Sequence, residues 1–179
     1  SIFLTVAFLL MSVVLSAQTP VYLTKAYKPV ESEYYDVYSS HEIQGGDTWN
    51  NCFVLNVINN YCGRAVFKLG GKYETISFIM GPDKGHGKCD PNIVQIHADG
   101  KRIFEHVVRD SDLAEHFTLN ISGVDKLEFS LFRPQCEVAF CEVALWTKGQ
   151  TPHDLRGKHD PEVKSRMLFR DIVPYRINY

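Results

Sequence analysis

From residue 52 onward the chain alternates between short apolar runs and polar, glycine-bearing breaks. Phe117, Leu119 and Ile121 fall on one face of an extended segment, and His116, Thr118 and Asn120 on the other. Leu127, Phe129 and Leu131 alternate in the same way against Glu128 and Ser130, and Val94, Ile96 and Ala98 leave Gln95 and His97 outward. A period of two marks a strand with one buried face, because successive side chains leave the pleat on opposite sides. The strands so predicted are Cys52–Ile58, Arg64–Leu69, Tyr73–Met80, Ile93–Ala98, Arg102–Val108, His116–Ile121, Leu127–Phe132 and Val138–Trp146. Val21–Tyr38 adds one or two outer strands. Asp99-Gly100, set between two alternating runs, signals a two-residue hairpin whose turn positions both need positive φ. A 3.6-residue period is not sustained anywhere in this region; Ser111–Phe117 is expected to form at most one helical turn capped by Ser111. The pattern predicts an all-β fold, an antiparallel β-sandwich or jelly roll.

If consecutive strands alternate in direction, their connections sort onto two ends. Gly70-Gly71, Asp99-Gly100 and Ser122-Gly123 make a tight-turn end. Asn59–Gly63, Gly81–Pro91, Arg109–Asp112 and Arg133–Glu137 make a long-loop end that holds most of the polar and charged loop residues. Ligand-binding residues on a rigid sheet scaffold concentrate in such loops, so this end is the expected binding surface. The candidate contacts are Asp83, His86, Asp90, Arg109 and Arg133, because guanidinium and carboxylate groups bond bidentately to vicinal hydroxyls. Trp49 joins them. It follows Gly45-Gly46-Asp47-Thr48 in the polar stretch Ser39–Asn51, where its ring either plugs the end of the sandwich or stacks on a ligand.

The same parity places Cys62, Cys89 and Cys136 at the long-loop end and predicts one disulfide among those three. Cys52 starts its strand at the opposite end, and Cys141, in mid-strand, is expected to be a small buried apolar residue. With five cysteines in all, at least one stays unpaired within the chain.

Nineteen Lys and Arg balance 21 Asp and Glu, for a formal net charge of −2. There is no basic stripe for nucleic acid. Ile2–Leu15 is apolar but shorter than the roughly 20 residues of a membrane span. It ends in Leu15-Ser16-Ala17-Gln18, a small-residue cleavage pattern. Residues 1–17 therefore read as a signal peptide truncated at its start, and the mature chain as exported (secreted, periplasmic or cell-surface associated) without a membrane span. Residues 18–51 are expected to supply strands and a loop packed on a module at 52–146, with 147–179 as a tail or linker. No nucleophile elbow, phosphate loop or zinc-ligand spacing occurs. His153-Asp154 and His159-Asp160 lie in a proline-broken segment as solvated loop residues. The expectation is a protein without a catalytic site.

The order Val66-Phe67-Lys68-Leu69-Gly70-Gly71-Lys72-Tyr73, Met80-Gly81-Pro82-Asp83, His97-Ala98-Asp99-Gly100-Lys101 and Leu119-Asn120-Ile121-Ser122-Gly123-Val124-Asp125-Lys126-Leu127 resembles the NPCBM family, the novel putative carbohydrate-binding modules with a galactose-binding-like jelly roll. Val138–Leu145 looks like that family's last strand. The resemblance covers about half the chain, from Val54 to Trp146. It implies non-catalytic, lectin-like sugar recognition as an accessory to a glycoside hydrolase, and it allows a structural calcium ion. Two departures stand out. The family's Gly-Thr-His-Ala stretch is replaced by Ile58-Asn59-Asn60-Tyr61-Cys62, and its His-Ala-Asp-Trp by Glu137-Val138-Ala139-Phe140. Glu142 is the acid near the family's final Asp and the candidate metal ligand. Two functions follow: a module that binds carbohydrate through the long-loop end, or a structural or protein-interaction sandwich that contacts other exported proteins and has lost sugar binding.

Overall fold

A computed structural model describes residues 19–43, 48–84 and 90–152. The apolar run at Ile2–Leu15, His86, Cys89 and the segment after Pro152 lie outside the described residues. The elements are β1 (Val21–Tyr22), α1 (Leu23–Ala26), β2 (Glu31–Glu33), β3 (Tyr35–Glu42), β4 (Thr48–Leu55), β5 (Val57–Ile58), β6 (Tyr61–Cys62), β7 (Arg64–Lys68), β8 (Thr75–Pro82), β9 (Asn92–Ala98), β10 (Lys101–Val108), β11 (Glu115–Asn120), β12 (Lys126–Leu131) and β13 (Val138–Trp146). They form two antiparallel sheets. One runs β11-β8-β13-β4-β3 with β1 attached to β13, and the other runs β10-β9-β12-β7-β2. β5 and β6 make a separate small hairpin.

The alternating residues behave as the sequence pattern requires. Leu127, Phe129 and Leu131 are buried, as are Val94, Ile96, Phe117 and Ile121. Between the sheets, Phe53, Phe67, Phe78, Phe129 and Phe140 have no exposed surface. Phe53 stacks on Phe140 at 4.8 Å and meets Phe129 edge-on at 5.2 Å; Phe129 meets Phe140 edge-on at 5.3 Å. Each such pair adds about 0.5–1.5 kcal/mol to the burial of the rings. Asp99 and Gly100 adopt φ of 49° and 82°, the left-handed turn that the hairpin demands.

β13 organises the first sheet. All nine of its residues are buried. Along one edge it pairs with β8 from end to end; along the other it pairs with β4 at Val138–Phe140 and with β1 at Ala144 and Leu145. Between these partners the register slips from Cys141 to Ala144, and Glu142 takes φ 48° opposite Asn51 at φ 52°. This is a β-bulge, which bends the strand that carries it and increases the local twist.

Beyond Asn51, the β3–β4 hairpin crosses the sheet's outer face. Ile43, Trp49, Cys52 and Val54 pack there on Ile79, Ala139 and Cys141 as a second core. Ile43 forms a bridge with Asp83. Gly81 makes this contact possible, because a Cβ at that position would meet Ile43 Cγ2 at 2.7 Å.

Two expectations change, for Cys141 and for Ser39–Asn51, and two are narrowed, for the disulfide trio and for Ser111–Phe117. Cys141 is disulfide-bonded to Cys52 rather than a lone apolar residue, since the bulge brings the two Cα atoms to 4.0 Å. The bond closes 89 residues of sequence, a loop length for which a cross-link contributes about 2–5 kcal/mol. Cys62 leaves the predicted set of three because it is a free thiol, whereas Cys136 is in a disulfide. Ser39–Asn51 is largely strand, not loop. Ser111–Phe117 forms no helical turn; the chain turns there and enters β11, whose pairing with β8 outweighs any local capping. The short α1 had no periodic signal and is held by packing of Leu23.

Tyr35 carries a pH-dependent cost. Its ring packs on Phe53 and Phe67. Its hydroxyl is buried with no hydrogen-bond partner among the described residues, and burial pushes its pKa up to about 12. The unfolded chain releases this proton near pH 10, so stability present below pH 10 is lost as pH rises towards 12. Tyr35→Phe should be as stable as wild type or more stable by about 1 kcal/mol at pH 7. In urea unfolding, its advantage should widen from pH 10 to 12; an advantage that shrinks would contradict this assignment.

Candidate functional site

The two ends of the sandwich differ in how they use their polar groups. At the tight-turn end, main-chain bonds close the structure: Gly71 N donates to Val124 O at 2.9 Å, and Asp99 N to Lys126 O at 2.9 Å. The Asp99 carboxylate accepts from the Asp125 and Lys126 amides. At the other end, buried Asn92 acts as a strut. Its Nδ2 donates to Cys136 O at 2.7 Å, and its Oδ1 accepts from Arg133 N at 3.1 Å. One asparagine thus fixes the Arg133–Glu137 connection on the start of β9.

This strut gathers three of the predicted contacts. Arg133 is exposed beside Asn92. Asp90 is exposed two residues before it. Val108 pairs with Asn92, which brings exposed Arg109 opposite Pro91. The Arg109 main chain is held by Asp112, whose carboxylate accepts from the Arg109 N–H at 2.8 Å. These backbones are therefore fixed while the charged side chains face water, an arrangement suited to bidentate bonding of hydroxyls.

Asp83 belongs to the same end but is engaged differently. Its N–H donates to Glu137 O at 3.0 Å. Its Oδ1 lies 2.5 Å from His41 Nε2 and accepts from Lys84 N. Tyr38 lies over His41 at 4.4 Å, and Lys84 pairs with Glu42. Burial, followed by the charges of Asp36, Asp83 and Glu137, raises the Tyr38 pKa above its ordinary value. The end thus carries Asp36, Asp83 and Glu137 on the hairpin side and a mix of both signs around Arg109 and Arg133. Asp83 serves here as the latch that ties the β3–β4 hairpin to β8.

Two candidates sit elsewhere. Trp49 is 3% exposed inside the second core, so of its two sequence-level alternatives the packing one applies. Glu142 is 5% exposed at the β13 bulge, and its carboxylate accepts from Asn50 N at 3.2 Å and Asn51 Nδ2 at 3.3 Å. Burial, then the Glu142 charge and its hydrogen bond, raise the Tyr22 pKa. The donors that Asn50, Asn51 and Tyr22 set around this carboxylate are two amides and a phenol. That setting does not fit a calcium ion, which takes six to eight oxygen ligands, and among the described residues no group of three His, Cys, Asp or Glu is placed to hold a metal.

Tyr34, Tyr61 and Phe132 were not among the predicted contacts. Tyr61 and Phe132 are 64% and 63% exposed at this end, and Tyr34 stacks on Tyr61. The signal was available in Asn59-Asn60, a turn dipeptide between two short apolar pairs.

No family model matches the chain, and no curated protein matches its sequence. Solved structures do match. A family 51 carbohydrate-binding module (CBM51) of Clostridium perfringens GH95, in complex with methyl-galactose, aligns at TM-score 0.57 and 14% identity over 71% of this chain and 99% of that one. The fold is similar to that of CBM51 carbohydrate-binding modules. The structure of the M60 catalytic domain with two CBM51 domains of Clostridium perfringens ZmpB aligns at TM-score 0.58 and 17% identity, over 72% of this chain and 15% of that one. Tandem CBM51 modules of a Streptococcus pneumoniae family 98 glycoside hydrolase align at TM-score 0.56 and 15% identity, over 80% of this chain and 52% of that one. The chain thus spans a single module's length and only part of the two larger structures.

The latch generates a test. Asp83→Ala should lower stability by about 1 kcal/mol, the cost of removing a hydrogen bond to a part-buried partner. It should also speed hydrogen exchange at Ile43 more than in β12. Unchanged exchange at Ile43 would show that Asp83 does not hold the hairpin.

Proposed function

We propose that this chain is an exported, non-catalytic carbohydrate-binding module of NPCBM type that recognises a glycan through its long-loop end. The observation that carries the reading is the pairing of exposed Asp90, Arg109 and Arg133 side chains with a backbone fixed by Asn92, on a sandwich shaped like CBM51. Such fixed donors and acceptors lose little freedom when they bond sugar hydroxyls. Export is supported by the apolar start with its cleavage pattern and by the disulfides at Cys52–Cys141 and Cys136, since such bonds persist in oxidising compartments. His86, outside the described residues, remains a proposed contact on its position in the Gly81–Pro91 connection. The methyl-galactose in the GH95 module makes a galactoside the first ligand to try.

The competing reading is a protein-interaction domain for other exported proteins. It draws on the exposed apolar side chains Ile58, Leu113 and Phe132. A glycan array separates the two. Binding to a defined set of glycans, weakened about tenfold by Asp90→Ala or Arg133→Ala, is the expected result. Absence of binding to every glycan on a broad array would overturn the carbohydrate reading.

A further inference from the structure

The β5–β6 hairpin is built to hold one ring in the open. Asn59 and Asn60 take φ of 51° and 66°, a tight turn with both central residues left-handed, which asparagine tolerates better than most residues. Behind the turn, Gly63 sits so close to the crossing chain that a Cβ would lie within 2.9 Å of main-chain atoms of Tyr34 and Asn56. Asn56 N donates to Tyr34 O at 2.8 Å. Tyr34 itself has φ 47°, a conformation that strains a bulky residue and persists only where its surroundings enforce it. The result is a ring pair: Tyr34 stacks on Tyr61 with centroids 6.0 Å apart and planes 19° from parallel. Tyr61 nonetheless stays 64% exposed.

The surroundings of this pair are polar. Asn56 Nδ2 donates to Asp36 Oδ2 at 2.7 Å, which orients an exposed carboxylate beside Tyr34, and Asn59 and Asn60 are exposed at the turn. Leu131 N donates to Gly63 O at 3.1 Å, so exposed Phe132 comes alongside Cys62 on the neighbouring strand. A rigid aromatic face rimmed by amides and a carboxylate matches a pyranose, which offers C–H groups on one side and hydroxyls around its edge.

We propose that Tyr61, backed by Tyr34, is a stacking platform for the C–H face of a neutral pyranoside, with the Asn56-oriented Asp36 carboxylate accepting from a sugar hydroxyl. The proposal rests on the carbohydrate reading above and assigns the side chains that meet the ring. A galactoside is the probe, because the axial O4 of galactose gathers H3, H4 and H5 into one apolar patch.

The test is saturation-transfer-difference NMR and titration with methyl β-galactopyranoside, using the folded full chain and its variants. For wild type, the strongest transfer should fall on H3, H4 and H5. Tyr61→Ala should weaken binding about tenfold, whereas Tyr61→Phe, which keeps the ring, should stay within about twofold. Uniform transfer across the sugar in wild type would overturn the platform without recourse to any variant. So would a Tyr61→Phe loss as large as that of Tyr61→Ala. If Tyr61→Ala binds as wild type while Arg133→Ala does not, the platform fails and the module reading stands. If wild type binds neither this galactoside nor any arrayed glycan, both fail together.

Discussion

The break in pairing along β13 is the constraint on which the rest of the structure depends. A central strand normally keeps one neighbour on each edge. Here the edge opposite β8 is divided between β4 and β1, and the bulge from Cys141 to Ala144 marks the handover. Two interactions keep the break from drifting. The Cys52–Cys141 disulfide ties β4 to β13 at the point of departure. The Glu142 carboxylate, turned inward by the left-handed backbone, binds the Asn50 amide and the Asn51 side chain. A buried charge without these partners would cost several kcal/mol; with them it fixes the register.

From that point the β3–β4 hairpin is free to cover the outer face of its sheet. It brings Ile43 onto Gly81 and His41 onto Asp83. β13 is therefore buried on both faces, between the phenylalanine core and the second core around Trp49. The hairpin also delivers Asp36 and Tyr38 to the end that holds Asp90, Arg109 and Arg133. Structure and proposed function meet there: the opposite end is closed by backbone bonds among its turns, whereas this end keeps charged and aromatic side chains facing outward on fixed supports.

The sandwich was legible in the sequence because it follows from a local rule. Alternation in 94–98, 117–121 and 127–131 identifies strands and their buried faces without long-range information. The positive-φ turn at Asp99-Gly100 and the sorting of loops onto two ends follow equally directly. What failed depends on contacts remote in sequence. Trp49 looks like a loop residue because its partners, Ile79 and Cys141, lie far along the chain and are met only when the hairpin folds over. Cys141 looks like a lone apolar residue for the same reason. Asp83 was placed at the right end by loop parity, but its bond to His41 could not be foreseen, since nothing local predicts that residue 41 returns to β8. Tyr61 was not among the candidate contacts, although its two-asparagine turn marks a hairpin.

In the proposed function this end, and not the tight-turn end or a sheet face, meets the ligand. An amide chemical-shift titration of the isotope-labelled protein with a galactoside tests it most directly. Shifts should be confined to Tyr34–Tyr38, Asn56–Gly63, Asp83, Asp90–Ile93, Arg109–Asp112 and Phe132–Glu137. Shifts centred on Gly70–Gly71, Asp99–Gly100 and Ser122–Gly123, or spread along β2 and β10, would contradict it.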